Sequence, residues 1–203
     1  MKLSKGFGAV SVIVLILLAD QALKIWIKTH LLLGEDVRIT GWFYLRFVEN
    51  NGMAMGIEVV GKFFLSVFRI VASVFIIYYL CRLVKRNFST GYIICVAMVF
   101  AGAIGNIFDS IFYGVIFSDS TPYHLAVLFP PEGGYGTWLH GKVVDMFYFP
   151  LFEFNWPSWI PWIGGQEFIF FRYIFNLADA SISAGFIVLL LFYRNTFSAS
   201  FEK

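Results

Sequence analysis

Apolar residues run in long blocks broken by short polar stretches. Four blocks reach the roughly 20 residues a membrane-spanning helix needs: residues 6–27, 63–83, 92–112 and 168–193. The first follows Lys2 and Lys5 and has no A-x-A cleavage pattern after it, so it reads as a retained helix. The outer regions left between these blocks are residues 28–62 and 113–167. In the first, the stretch from Arg38 to Val48 is rich in β-branched and aromatic residues and predicts a strand. Asn50-Asn51-Gly52 then predicts a turn. In the second, Trp156, Trp159 and Trp162 recur among prolines. That segment is expected to lie along the membrane interface, with a packed aromatic cluster as the alternative.

Composition agrees with a lipid environment: 59% of the 203 residues are hydrophobic and 14% charged, with mean hydropathy +0.76. The expected fold is an all-α polytopic membrane protein forming a single domain over residues 1–203. A net charge of +2 is too small to suggest a nucleic-acid partner. Basic residues decide orientation instead. Lys2, Lys5, Arg82, Lys85, Arg86, Arg194 and Lys203 flank the blocks, which places both termini in the cytoplasm. Cys81 and Cys95 show no CxxC spacing and read as structural thiols.

An ionisable residue inside a membrane helix is costly and marks a candidate site. Asp20 and Lys24 stand four apart on the first helix, one above the other. A structural ion pair or a snorkelling lysine is the first reading of that pair, ahead of direct catalysis. Asn106 and Asp109 are three apart near Gly102 and Gly105, and look like support for a polar site. Asp145 follows Val143-Val144, and Asp179 lies in Asn176-Leu177-Ala178-Asp179.

Two carboxylates from separate segments could converge at one depth near the outer face. A close pair does not readily ionise twice, so one member keeps its proton while the other acts as a base. That suits water-mediated hydrolysis of a peptide bond. From the residues alone, a hydrogen-bonded helix group and a proton relay remain open alternatives. No HExxH, GxSxG or Walker A pattern competes, and His30, His124 and His140 lack metal-ligand spacing. Neither a metal nor another cofactor is expected.

Five motifs in order resemble the lipoprotein signal peptidase (signal peptidase II) family of aspartyl proteases. They are Asp20-Gln21-Ala22-Leu23-Lys24, Asn51-Gly52-Met53-Ala54-Met55-Gly56, Gly105-Asn106-Ile107-Phe108-Asp109, Val143-Val144-Asp145-Met146-Phe147 and Phe175-Asn176-Leu177-Ala178-Asp179. The resemblance implies four membrane helices, a small extracytoplasmic β-cradle and an amphipathic flap. It implies removal of the signal peptide from diacylglyceryl-modified prolipoproteins before the lipidated cysteine, in a bacterial inner membrane and toward its outer leaflet. It makes Asp145 and Asp179 the catalytic pair. Asp20, Lys24, Asn51, Gly52, Asn106, Asp109 and Asn176 become substrate-binding or supporting residues. A monomer embedded in membrane lipid is expected.

Two departures stand out. The family usually has Arg after the aspartate of its third motif, where this chain has Ser110, and Arg172 is a candidate substitute. The spacings 145 − 109 = 36 and 179 − 145 = 34 are also longer than the family pattern. Rival readings are a small transporter with an ion path through Asp20, Lys24, Asp109 and Asp179, or a membrane scaffold with a partner on its outer loops.

Overall fold

The computed structural model describes residues 4–50 and 62–201. The long helices come first in the chain: α1 (Lys5–His30), α2 (Lys62–Lys85) and α3 (Thr90–Phe108). With the turns that continue α3 to Ile116, these are, among the described residues, the three helices long and apolar enough to cross a membrane. Phe7, Leu15 and Leu18 on α1, and Phe64, Phe68 and Phe75 on α2, are exposed. Such a surface suits lipid and not water. About 56% of the α3 apolar window is buried against 17% in α1 and α2, which makes α3 the central helix.

Small residues let the neighbours approach α3. A Cβ added at Gly102 would collide with the Ala178 carbonyl oxygen and come within 2.7 Å of Ile182. One at Gly185 would lie 2.7 Å from the Cys95 carbonyl oxygen. Both belong to the crossing between α3 and α5 (Leu177–Phe192). Where apolar burial gives little drive between helices, close backbone contact supplies the packing.

The fourth predicted block is shorter than expected. Residues 168–193 do not form one helix: β5 (Glu167–Phe170) and β6 (Ile174–Phe175) occupy its start. The Phe/Ile-rich stretch pairs as strands, and Phe171, at φ 63°, turns the chain between them. Asn176 then caps α5: its side chain accepts from the Asp179 N–H, and the Asp179 carboxylate accepts from the Asn176 N–H. Asp179 therefore lies in the first turn of α5 and not inside a helix that begins at residue 168. At 16 residues, α5 spans about 24 Å, short of a full hydrocarbon core. Beyond it, α6 (Arg194–Phe201) turns away, and the two count as a fourth span only if this pair, bent by 90°, is taken as one.

The fold is not all-α. The predicted strand over 38–48 is a hairpin of β1 (Asp36–Arg38) and β2 (Tyr44–Asn50), and β3 (Val143–Tyr148) and β6 extend it into an antiparallel sheet of order β1-β2-β3-β6. Register places Val48 opposite Asp145 and Phe147 opposite Phe175. A second hairpin joins β4 (Phe152–Asn155) to β5. The Trp-rich segment is its connection, and the aromatic-cluster reading holds for one of its three tryptophans. Trp156 packs on Phe154 and Phe168, with ring centroids 5.0 and 5.8 Å away, whereas Trp159 and Trp162 are exposed.

After Phe108 the helix widens into a π turn, Asp109–Tyr113, followed by α4 (Gly114–Ile116). The loop ahead of β3 lies directly on this widened backbone: Gly141 N–H donates to Ser110 O at 2.9 Å and Gly136 N–H to Gly114 O at 2.7 Å. A Cβ at Gly141 or Gly134 would run into helix carbonyl oxygens, so glycine is needed at both positions. This contact fixes where β3 begins, and hence where Asp145 points.

At the opposite end, Lys5 Nζ donates to the Asn87 and Phe88 carbonyls at 3.1 and 2.7 Å. The start of α1 and the basic α2–α3 connection thus share one end of the bundle, and the sheet occupies the other. Gly102→Val is expected to destabilise the protein by about 1–3 kcal/mol through overpacking against Ala178 and Ile182. Thermal unfolding in detergent measures it, and an unchanged Tm would contradict the packing described.

Candidate active site

Asp145 and Asp179 line one cavity of about 1160 Å³ at the sheet end of the bundle. Asp145 comes from β3 and Asp179 from the start of α5, brought together because β6 pairs with β3 immediately before α5 begins. Asp145 is 4% exposed. Its Oδ1 accepts from Asn176 Nδ2 at 2.7 Å, and its Oδ2 accepts from Asn50 Nδ2. Burial, and then the neighbouring charge of Asp179, push the Asp145 carboxyl up to about 7. Asp179 Oδ1 accepts from Asn106 Nδ2 at 2.8 Å.

The two asparagines join these carboxylates to a buried ion cluster. Asn106 Oδ1 accepts from Lys24 Nζ at 2.9 Å and from Asn176 Nδ2 at 3.1 Å. Lys24 Nζ also lies 2.9 Å from Asp20 Oδ2 and 2.8 Å from Asp109 Oδ2, with all three side chains fully buried. Asp20 Oδ1 accepts the Ala178 N–H at 2.9 Å, which ties α1 to the first turn of α5. Asp109 Oδ2 accepts the Val144 N–H at 3.3 Å, tying the π turn to the residue before Asp145. Gln21 completes the cluster, with its Nε2 donating to Asp109 Oδ1 at 2.9 Å and its Oε1 accepting from Tyr113 at 3.1 Å.

Six of the residues singled out in the sequence besides the pair are Asp20, Lys24, Asn106, Asp109, Asn176 and the departure Ser110. The first five meet in this web. Ser110 does not: its Oγ donates to Asn106 O at 3.0 Å, within its own helix. Arg172 does line the cavity. Asn51 and Gly52 lie outside the described residues.

Three contributors escaped the sequence reading. Asn50 touches Asp145 directly, and only the strand register reveals it. Arg69 lines the cavity from α2, although a charge inside an apolar helix was signal enough. Lys28, one turn beyond Lys24, is buried against Glu49 and Ser120, with its ammonium 5.2 and 5.0 Å from the Phe117 and Tyr135 ring centroids. Glu49 also meets Lys142 Nζ at 3.2 Å, so this second cluster braces β2 one residue before Asn50.

Lys24→Met would strand Asp20 and Asp109 without their cation. It is expected to cost about 3–5 kcal/mol of stability, read as a lower midpoint of unfolding in detergent. A variant as stable as the parent would contradict the role assigned to the ion cluster.

Known proteins resemble this chain over almost its whole length. The lipoprotein signal peptidase of Porphyromonas gingivalis is 54% identical over 198 residues, covering 97% of this chain and 87% of that protein. The lipoprotein signal peptidase of Amoebophilus asiaticus is 32% identical over 209 residues, covering 100% and 83%. A solved bacterial membrane enzyme, determined by the in meso method, shares the fold with a TM-score of 0.62 at 21% identity, over 97% of this chain and 93% of that one. The family profile described as Signal peptidase (SPase) II, Peptidase_A8, matches residues 12–194. With almost the whole chain matched, this protein belongs to the signal peptidase II family of proteases.

Proposed function

We propose that the chain is an aspartyl endopeptidase of the bacterial cytoplasmic membrane, with its termini in the cytoplasm and its cleft toward the outer leaflet. Its substrates are diacylglyceryl-modified prolipoproteins, cut immediately before the lipidated cysteine. The observation that carries this reading is one cavity lined by two carboxylates from different elements, each held by an asparagine, with Asn106 bonded to Lys24 and Asn176 bonded to Asn106.

Asp145, buried and pushed up to about 7, is the member that keeps a proton and polarises the scissile carbonyl oxygen. Asp179 is the base that takes a proton from the attacking water. The water oxygen bonds to the carbonyl carbon, giving a tetrahedral intermediate. Collapse breaks the C–N bond as a proton passes to the departing amine. No covalent enzyme intermediate is needed. The lipid chains of the substrate stay in the bilayer, so membrane confinement supplies part of the positioning.

The polar web lies at the sheet end, while the basic end closes on an apolar cluster of Ala9, Leu80, Leu83, Tyr92, Ile93 and Ala97. That distribution favours a site over an ion path through the bundle.

Asp145→Asn and Asp179→Asn are each expected to lower kcat for a lipidated precursor at least about 10³-fold while leaving the fold intact. Two folded variants that cleave at the parental rate would sink the proposal. The pH profile tests the proton assignment separately. Asp145 loses its proton as pH rises through about 7, so kcat/KM should fall on the alkaline side. A profile flat to about pH 9 would contradict Asp145 as the acid.

A further inference from the structure

The inward face of α2 carries an unusual series. Lys62, Ser66, Arg69 and Ser73 follow at i, i+4, i+7 and i+11, a single helical stripe. Ser66 and Ser73 are buried, and Ser66 Oγ donates to Leu139 O at 3.0 Å, which fixes the stripe against the loop ahead of β3. Phe64, Phe68 and Phe75, on the remaining face, are exposed. The rotation of α2 thereby aims Arg69 into the cavity that Asp145 and Asp179 line.

Charges face Arg69 from several elements. Asp179 on α5, Asp109 at the end of α3 and Asp145 on β3 all act on its guanidinium. Glu167 on β5, and Arg172 after it, line the same cavity. Lys62 stands two turns earlier on α2. Among the described residues Asn50, Asn176 and Asn106 donate hydrogen bonds to the oxygens of the pair, and the Lys24 charge on α1 also acts on Asp145. Residue 110 supplies no cation, since Ser110 bonds back to its own helix.

A peptide entering this cleft loses the water on its backbone carbonyls, and each needs a donor in exchange. A guanidinium offers five N–H groups in a rigid fork and stays charged in any state of the cleft. We propose that Arg69 is a substrate-binding residue of this site, gripping backbone carbonyl groups beside the scissile bond and supplying from α2 a positive charge that faces the aspartate pair. The assignment rests on Asp145 and Asp179 being that pair.

The test is cleavage of a diacylglyceryl-modified precursor peptide by the purified full chain in lipid–detergent micelles. Arg69→Gln, Arg69→Lys, Asp145→Asn and Asp179→Asn are compared with the parent, with kcat and KM measured across pH. Arg69→Gln should lower kcat/KM by roughly 10²-fold or more, the scale of losing a charged donor aimed at the reacting peptide. It should also move the acid limb of kcat/KM to higher pH, because the ionised member of the pair loses a neighbouring positive charge. Arg69→Lys should restore the acid limb and only part of the rate, since the ammonium keeps the charge and loses the fork.

Parental kcat/KM and an unmoved acid limb in Arg69→Gln, with both aspartate variants inactive, would overturn the assignment alone. Active aspartate variants would overturn the pair, and this assignment with it. Should Arg69→Gln fail to fold, Arg69→Lys decides: parental kcat/KM overturns the role of the fork, and a loss with the acid limb unmoved supports it.

Discussion

Everything around the cavity depends on one buried cation. Lys24 places its ammonium between Asp20 and Asp109 and donates to Asn106, inside a region that holds no bulk water. Each partner then fixes a different point of the site: Asp20 holds Ala178 in the first turn of α5, Asp109 holds the residue before Asp145, and Asn106 holds Asp179. An ion cluster so deeply buried gains little net stability over an apolar core, because desolvation offsets the attraction. Its value here is position. The two carboxylates that line the cavity are set by hydrogen bonds that lead back to this ammonium.

The backbone is arranged to make those bonds possible. Gly105 lets Asp20 come close, since a Cβ there would lie 2.8 Å from its carboxylate, and Gly102 admits the start of α5. The π turn at Asp109 widens the helix where its carbonyls accept from the loop that feeds β3. Such widened turns recur at functional sites because they redirect a side chain without ending the helix. On the sheet side, the Lys28–Glu49 pair steadies β2 beside Asn50. Two buried cations one turn apart on α1 therefore brace elements that carry lining residues of one cavity.

Much of this was legible in the sequence, and the reasons differ by element. Long apolar blocks revealed α1, α2 and α3, because a membrane helix advertises itself by length. Asp20, Lys24, Asn106, Asp109, Asn176, Asp145 and Asp179 stood out as polar groups in apolar surroundings, and the structure joins all seven. Residues 168–175 misled because an aromatic run is equally apolar as strand or helix. Only the Asn176 cap and the pairing with β3 decide it. Asn50 was invisible, since its role comes from cross-strand register. Arg69 carried the signal of a charge inside an apolar helix, but the sequence does not show that it lines the same cavity as the pair.

The central claim is that Asp145 and Asp179 together receive the scissile peptide bond. A structure with a lipid-modified peptide whose scissile group is replaced by a hydroxyl-bearing mimic of the tetrahedral intermediate tests it most directly. The account predicts the hydroxyl within hydrogen-bonding distance of both carboxylates, with the lipid chains leaving the cleft toward the bilayer. A mimic bound in the cavity with its hydroxyl in contact with neither carboxylate would contradict the account.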